Sequence, residues 1–292
     1  MKKTFDRASQ DVGNILGMEH VNVTAPCQMT ATQFYVSGLG FTRDPYMMVS
    51  AENMWVNVGQ QQFHLPTREP QVLRGVIGLV VPDLEALKMR LTALQDQMAE
   101  TQFACAEENG HVNVTGPWGN QFRCHEPDSE TFGEMTLGIP YVEFPVKRGT
   151  AAGIGQFYKT VMQAPYTLSE DTNGAVVEVL VGCEQKLIFR ETRKAIPAYD
   201  GHHIAVYVAN FSGPHAFLDE HGLITEESDN CQYRFQDIVH PDTGKVLFTI
   251  EHEVRSMRHP MWGREFINRN ASQNIRSYAR GRDSFATVGA AS

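Results

Sequence analysis

Apolar and polar residues alternate along most of this chain in short runs, a pattern typical of half-buried β-strands. In the first half the alternation predicts strands at residues 19–24, 54–59, 62–65, 75–81, 111–114 and 121–124. Helical spacing interrupts it at residues 30–38 and again at residues 84–98, where four leucines share one face and Asp83 is a candidate N-cap. We therefore predict two units of the βαβββ type in this half.

The second half repeats the same order of elements. Its pattern predicts strands at residues 141–146, 176–181, 186–189, 202–208, 233–239 and 246–251, with helices at residues 151–162 and 213–221. His20 precedes the pair Phe34-Tyr35 by fourteen residues, and Glu143 precedes Phe157-Tyr158 by the same spacing. An offset of about 125 residues that holds over several landmarks indicates a duplicated unit.

The repeat suggests a division of the chain into four parts. Residues 1–17 are interpreted as a polar leader and residues 18–127 as a first domain. The boundary falls near residues 126–138, which contain a proline and two glycines. Residues 138–254 are interpreted as a second domain, and residues 255–292 as an arginine-rich C-terminal tail.

Composition limits the kinds of partner and the cellular compartment that we expect for this protein. The chain has 292 residues, of which 42% are apolar and 20% charged, as in soluble globular proteins. Its net charge of −9 argues against nucleic acid as the main partner. The apolar runs are far too short to span a membrane, and the five cysteines form no Cys-x-x-Cys pair. We therefore expect a cytoplasmic protein with a small-molecule partner and without structural zinc or disulfides.

Charge is distributed unevenly. The tail carries seven arginines against Glu265 and Asp283, so it is net +5 while the rest of the chain is −14. The simpler interpretation is a solvated tail. The alternative is a strap that docks on the acidic body or on a second subunit of a homodimer.

The Phe-Tyr helices, the strand that begins His202-His203-Ile204 and the duplication resemble the vicinal oxygen chelate superfamily over about residues 17–253. That superfamily includes glyoxalase I, the fosfomycin and bleomycin resistance proteins and the type I extradiol dioxygenases. The resemblance implies an α+β fold of tandem βαβββ modules, four in two pairs, each pair forming a half-open β-barrel cleft. It also implies a divalent metal held by a His, Gln or Glu on one first strand, a His on the partner's first strand and a Glu on a last strand.

The first half fits this ligand pattern poorly. His20 lies at the first-strand position, but the partner position near Val76 is aliphatic and the last-strand position is Arg123. An arginine does not ligate a metal at neutral pH. The first half is therefore predicted to be structural, with His20 an ordinary barrel residue, and His64 is a weaker candidate to join it in a small polar pocket.

The second half fits better. Glu143 holds the first-strand position and His203 the partner position, although the expected last-strand ligand is replaced by Phe248. Glu251 would need a bulge to turn inward, and His252 is the alternative third ligand. The resemblance thus implies Fe, Mn, Zn or Ni at Glu143, His203 and Glu251 or His252. Glu143 could equally act as a general base.

The predicted function is a metal-dependent enzyme, dioxygenase-, isomerase- or lyase-like, acting on a small oxygen-rich or aromatic molecule. Ile238 stands where catechol-cleaving members carry a tyrosine, which argues against that one activity. An alternative is a non-catalytic binding protein of the same fold without metal, and a third is a scaffold protein that uses the tail. The candidate substrate pocket in the second half comprises Tyr141, Phe189, Tyr207, Tyr233 and Phe248.

Overall fold

The computed structural model describes residues 5–45, 52–264 and 266. Sixteen strands lie within these residues. They are β1 (Ile15–Asn22), β2 (Thr42–Arg43), β3 (Asn53–Val58), β4 (Gln61–Pro66), β5 (Val76–Val80), β6 (Ala104–Glu108), β7 (His111–Thr115), β8 (Gln121–His125), β9 (Tyr141–Lys147), β10 (Tyr166–Glu170), β11 (Ala175–Leu180), β12 (Lys186–Thr192), β13 (His203–Val208), β14 (Ile224–Asp229), β15 (Gln232–Val239) and β16 (Val246–Ser256).

Short helices connect the strands. They are α1 (Gln28–Ala31, continued as a π-helix over Thr32–Gly38), α2 (Leu84–Leu94), α3 (Ser129–Phe132), α4 (Ala151–Thr160) and α5 (Ser212–Glu220). The Asp83 side chain accepts a hydrogen bond of 2.8 Å from the backbone N–H of Ala86, so it caps α2 as the pattern predicts. The buried residues of α2 are its four leucines.

Four βαβββ modules follow one another along the chain. Module 1 spans residues 15–66, module 2 residues 76–125, module 3 residues 141–192 and module 4 residues 203–256. They form two open eight-stranded sheets. Sheet A has the order β14-β15-β16-β13-β1-β4-β3-β2, and sheet B has the order β10-β11-β12-β9-β5-β8-β7-β6. The predicted fold class, four modules in two pairs with half-open clefts, is confirmed.

Each sheet combines one module from each half of the chain. In sheet A, β1 of module 1 pairs antiparallel with β13 of module 4, with Asn22 opposite His203. In sheet B, β5 of module 2 pairs antiparallel with β9 of module 3, with Ile77 opposite Val142. Residues 18–127 and residues 138–254 therefore each contribute to both sheets, and neither contains a complete pair by itself.

The hydrophobic core is shared between the sheets. Phe122 of sheet B packs against Phe63 of sheet A, with ring centroids 5.9 Å apart. Phe157 of α4 packs against Phe235 of sheet A, also with ring centroids 5.9 Å apart. These rings are fully buried, and each contributes on the order of 2–3 kcal/mol of hydrophobic free energy. Helix α4 contacts strands of both sheets, and Phe34 and Tyr35 in the continuation of α1 pack against Phe122 and Phe63, so these helices lie between the two sheets.

The seam of sheet B depends on a close backbone approach. A Cβ atom built on Gly75 would lie 1.9 Å from the carbonyl oxygen of Glu143. On β5, which begins one residue after Gly75, a Cβ on Gly78 would lie 2.5 Å from the ring of Tyr141. Glycine at both positions lets β5 and β9 meet.

The first and last strands extend beyond the predicted domain boundaries at residues 17 and 254. β1 begins at Ile15, inside the segment interpreted as a leader, and β16 continues to Ser256, inside the segment interpreted as a tail. Farther along, Arg264 is buried and donates to Asp44 Oδ2 at 2.6 Å and to Gln62 Oε1 at 3.1 Å. This part of the tail docks on the body of the same chain, while residues 267–292 lie outside the described residues. In the described part, none of the helices has the length and apolar character needed to cross a membrane.

Candidate metal centre

Three histidines converge on the seam of sheet A. His20 lies on β1, His64 on β4 and His203 on β13, and one potential ligand atom from each lies within 4.8 Å of the other two. We call these residues the histidine cluster. It forms because module 1 supplies two of the side chains and module 4 supplies the third across the β1–β13 pairing.

His20 is oriented by the carboxylate beside it. Its Nδ1 lies 3.1 Å from Glu19 Oε2, and its buried Nε2 has no hydrogen-bond partner. Burial alone would raise the pKa of Glu19, but the charge of Arg255 and the contacts with His20 and Tyr207 lower it to about 2. The carboxylate therefore stays ionised and accepts the Nδ1 proton, which leaves the Nε2 lone pair free. Metal-bound histidines are commonly held by a carboxylate in this way.

His64 has a hydrogen-bond partner on each of its ring nitrogens. Its Nδ1 accepts a hydrogen bond of 2.6 Å from Asn22 Nδ2, and its Nε2 donates one of 2.7 Å to Asn53 Oδ1. The ring stacks on Trp55 with centroids 3.9 Å apart. Burial, helped by the charges of His20 and Arg255, lowers the pKa of His64 well below its usual value. Nδ1 of this neutral ring would become a ligand atom if the Asn22 amide moved aside.

His203 faces two carboxylates without a close hydrogen bond. Its Nδ1 is 3.5 Å from Glu251 Oε1, its Nε2 is 3.6 Å from Glu253 Oε2, and Nε2 has no hydrogen-bond partner. Burial, with the charges of His20 and Arg234, holds the pKa of His203 well below its usual value. The imidazole is therefore neutral near pH 7, which is the form that binds metals.

Two arginines hold the surrounding carboxylates. Arg234 contacts Glu251 Oε1 at 2.7 Å and Glu253 Oε2 at 2.5 Å. Arg255 contacts Glu253 Oε1 at 2.5 Å and also forms an ion pair with Glu19. Three carboxylates against two guanidinium groups leave one negative charge beside the histidine cluster. This local charge suits a cation.

Neither a protein-family model nor a curated protein matched the sequence. Solved structures share the fold. One is a protein of Bacillus subtilis provisionally named a dioxygenase, which is 15% identical over 90% of this chain and 89% of its own, with a TM-score of 0.58. Another is glyoxalase I of Zea mays, which is 12% identical over 82% of this chain and 92% of its own, with a TM-score of 0.56.

The chain has the vicinal oxygen chelate fold. In terms of this fold, His20 and His203 occupy equivalent positions on the first strands of two paired modules. Glu251 lies on the last strand of module 4, directly opposite His203 in the parallel pairing of β13 with β16. The fold that the vicinal oxygen chelate resemblance implies is confirmed, and His20, His64, His203 and Glu251 gather at the seam between modules 1 and 4.

Glu143 and His203 are not brought together. Glu143 lies on β9 of sheet B, where Arg190 Nε and Nη2 donate to its two oxygens at 3.0 and 3.2 Å. His203 lies on β13 of sheet A. The expectation of a shared site is corrected because module 3 pairs with module 2 rather than with module 4. A guanidinium group takes the place beside Glu143 that the expectation gave to a metal.

The two candidates for the third ligand lie on opposite faces of β16. Glu251 lies beside His203 without any bulge in the β13–β16 pairing. His252 points away, into the core shared with α4, where its Nε2 accepts from the Tyr158 hydroxyl at 2.7 Å and its Nδ1 donates to the Ile250 carbonyl at 2.8 Å. The expectation reversed the faces because it assumed that Phe248 points into the cleft.

The five aromatic pocket candidates are spread over both sheets. In sheet B, the Tyr141 hydroxyl lies 2.9 Å from His125 Nε2, and Phe189 is a buried core residue stacked on Phe144. In sheet A, the Tyr207 hydroxyl donates to Glu19 Oε1 at 3.1 Å, close to the histidine cluster.

The remaining two candidates are also buried. Tyr233 packs against Phe211, and Phe248 packs against Phe144. Of the five, only Tyr207 contacts Glu19, the residue that is hydrogen-bonded to His20 of the cluster.

Sequence reasoning did not place His20 and His64 beside His203, and it did not identify Glu19, the hydrogen-bond partner of His20. The available signal was the equivalence of His20 and His203 as first-strand residues of modules 1 and 4. It was not used because consecutive modules were expected to pair.

Proposed function

We propose that this protein is a metal-dependent enzyme of the vicinal oxygen chelate type whose divalent metal is held by His20, His203 and His64. The observation that carries the proposal is the pair of buried nitrogens, His20 Nε2 and His203 Nε2, that have no hydrogen-bond partner. The ring centroids of the two histidines are 5.6 Å apart. Leaving two buried acceptors unpaired costs about 1–3 kcal/mol each, and one cation between them would satisfy both.

The donor set narrows the choice of metal. Imidazole nitrogens suit Fe, Zn, Ni and Cu, whereas carboxylate and carbonyl oxygens suit Mg, Ca and Mn. The cluster offers three imidazoles, and Arg234 and Arg255 already form ion pairs with the nearby carboxylates of Glu19, Glu251 and Glu253. Fe, Zn or Ni therefore fits better than Mn. The bound metal would polarise a substrate with two adjacent oxygens or, as iron, support redox chemistry.

The residues around the cluster would supply positioning and proton transfer. Glu251 Oε1 is held by Arg234, while Glu251 Oε2 contacts Gln236 Nε2 at 3.1 Å. Since Oε2 faces only a neutral amide, it is the oxygen best suited to accept a proton from a bound substrate. Trp55 packs against His20, and the Tyr207 hydroxyl donates to Glu19, so aromatic side chains lie close to the cluster, which suits a small aromatic or oxygen-rich ligand.

A second candidate is a binding protein of the same fold that works without metal. The observation favouring it is that His64 has hydrogen bonds on both nitrogens, and Glu251 and Glu253 both have arginine partners. Within the cluster, only the Nε2 atoms of His20 and His203 then lack a hydrogen-bond partner. A ligand carrying hydrogen-bond donors could satisfy them in place of a cation.

Metal content distinguishes the two candidates. We expect about one equivalent of Fe, Zn or Ni in untagged protein by plasma mass spectrometry, and its loss in His20→Ala and His203→Ala. His215→Ala is the matched control, because His215 is half-buried on α5 and contacts Glu227 away from the cluster. Glu143→Gln should retain the metal. Parent protein that takes up none of these metals would leave the metal-free binding function as the better account.

A further inference from the structure

A groove of about 470 Å³, lined by no residue of the histidine cluster, lies where the linkers between modules meet the start of β16. Its basic residues are Arg74, Lys147, Arg148 and Lys245, and its lining contains no Asp or Glu. None of these four cations forms an ion pair with a described carboxylate, although the chain as a whole carries a charge of −9. We call this the basic groove.

Arg74 is fixed at the base of the groove. Its guanidinium lies 5.0 Å from the ring centroid of Tyr199 and 4.8 Å from that of Phe248. It donates to the carbonyl of Pro197 at 3.4 Å and to the carbonyl of Thr249, while its buried Nε has no partner. The contacts are with neutral groups, so the positive charge itself remains uncompensated at close range.

The carboxylate that acts on Arg74, that of Asp200, already has hydrogen-bond partners. Asp200 influences Arg74, but one of its oxygens accepts from the Val72 N–H at 2.7 Å and the other contacts His202 Nδ1 at 2.6 Å. Burial lowers the pKa of Arg74, which indicates that a negatively charged partner would be favourable beside its guanidinium.

The other wall of the groove is apolar. Ile196 and Pro197 come from the linker between modules 3 and 4, and Val246 and Leu247 come from the start of β16. Val246 is an exposed hydrophobic residue. The combination of a cationic side and an apolar side in a space of this size fits a small organic anion rather than a bare ion.

We propose that the basic groove binds a phosphate monoester with an apolar or aromatic organic group. A dianionic phosphate would meet Arg74 and the three exposed cations at the rim, and the organic group would lie on Ile196, Pro197 and Leu247. The groove uses none of the residues assigned to the metal centre, so this proposal stands or falls independently of the proposed enzyme function.

Calorimetric titration of the full chain with phenyl phosphate tests the proposal, with inorganic phosphate as the comparison ligand. We expect phenyl phosphate to bind more tightly than inorganic phosphate, and binding to persist when a chelator removes metal. Arg148→Gln combined with Lys245→Gln should weaken phenyl phosphate binding about tenfold or more, because two cations close to the phosphate are removed.

The matched control removes the same charge from exposed positions elsewhere, by Arg68→Gln combined with Lys159→Gln. It should leave binding within about twofold. The proposal is overturned if the groove variant binds like the parent, or if the control loses as much affinity as the groove variant. Equal binding of the two ligands, or binding that requires metal, would also overturn it.

Discussion

The rings of His20 and His203 meet edge to face, with centroids 5.6 Å apart, across the seam between the first and the fourth modules. One residue comes from near the start of the chain and the other from its last third. Each has a buried Nε2 without a hydrogen-bond partner. The candidate metal centre therefore exists only when the two ends of the duplicated chain pair, and neither half could form it alone.

Glu19→Gln should weaken metal binding at the histidine cluster about 10- to 100-fold. The amide oxygen can still accept the His20 Nδ1 proton, but the negative charge that makes the imidazole a better donor is lost. Competition with a chromophoric chelator measures the affinity. Glu178→Gln is the control, because Glu178 pairs with exposed Lys186 in sheet B. Equal metal affinity in Glu19→Gln and the parent would contradict a role for Glu19 in orienting His20.

Acid should destabilise the fold through His252. Burial lowers the pKa of this residue to about 4, although the Ile250 carbonyl partly opposes the shift. The unfolded chain binds a proton below about pH 6.5, whereas the folded chain does so only near pH 4. The stabilising contribution of a neutral His252 is therefore complete above pH 6.5. It is lost as the pH falls towards 4, by at most about 3 kcal/mol.

Urea unfolding of the parent and of His252→Gln at pH 7.5, 6.0 and 4.5 measures this contribution. The difference between the two proteins in free energy of unfolding should narrow as the pH falls, because glutamine does not titrate. Other histidines, such as His125 and His259, titrate in both proteins and cancel in the comparison. A difference that stays constant across the three pH values would argue against the neutral, buried state of His252.

Arg264→Ala should lower the free energy of unfolding by about 3 kcal/mol. Asp44 is fully buried, and the substitution removes the guanidinium that contacts its Oδ2 at 2.6 Å, so a buried charge-assisted hydrogen bond is lost. Lys186→Ala, which breaks an exposed ion pair, should cost less than about 1 kcal/mol. Denaturant unfolding checks both values. If the two variants lost the same stability, docking of this segment on the body would contribute nothing measurable.

Gly75→Ala should destabilise the protein by about 3 kcal/mol or more, because the new methyl group would collide with the Glu143 backbone in the seam of sheet B. Gly17→Ala is the matched control on β1. A Cβ there would meet its nearest atom, Gln185 Oε1, at an ordinary 3.7 Å, so a change within about 0.5 kcal/mol is expected. Thermal and urea unfolding compare the two. A tolerated Gly75→Ala would contradict the close approach of modules 2 and 3.

Much of the fold was predictable from local pattern. The strands with buried alternate residues and the two longer helices, α2 and α4, were predicted to within a few residues. The strands that the pattern missed are β2, β6, β10 and β14, at the outer edges of the two sheets. Their side chains are mostly exposed, so no apolar alternation marks them.

The candidate site was predictable only in part. His203 was identified because it lies on an apolar strand at a position that the resemblance marks. His20 was set aside because its expected partners, near Val76 and at Arg123, belong to module 2, which pairs with module 3 instead. The same error joined Glu143 to His203, since both were assigned to the second half.

The sequence by itself determined the modules, because strand and helix periodicity and the internal repeat are local properties carried by each stretch of about fifty residues. Only the tertiary structure decided which modules share a sheet. The first strand of each module has a free edge with which the first strand of any other module could pair. The choice of partner depends on packing between residues far apart in sequence, such as those at the Gly75 seam and in the shared phenylalanine core. That choice places His20 beside His203 and pairs Glu143 with Arg190.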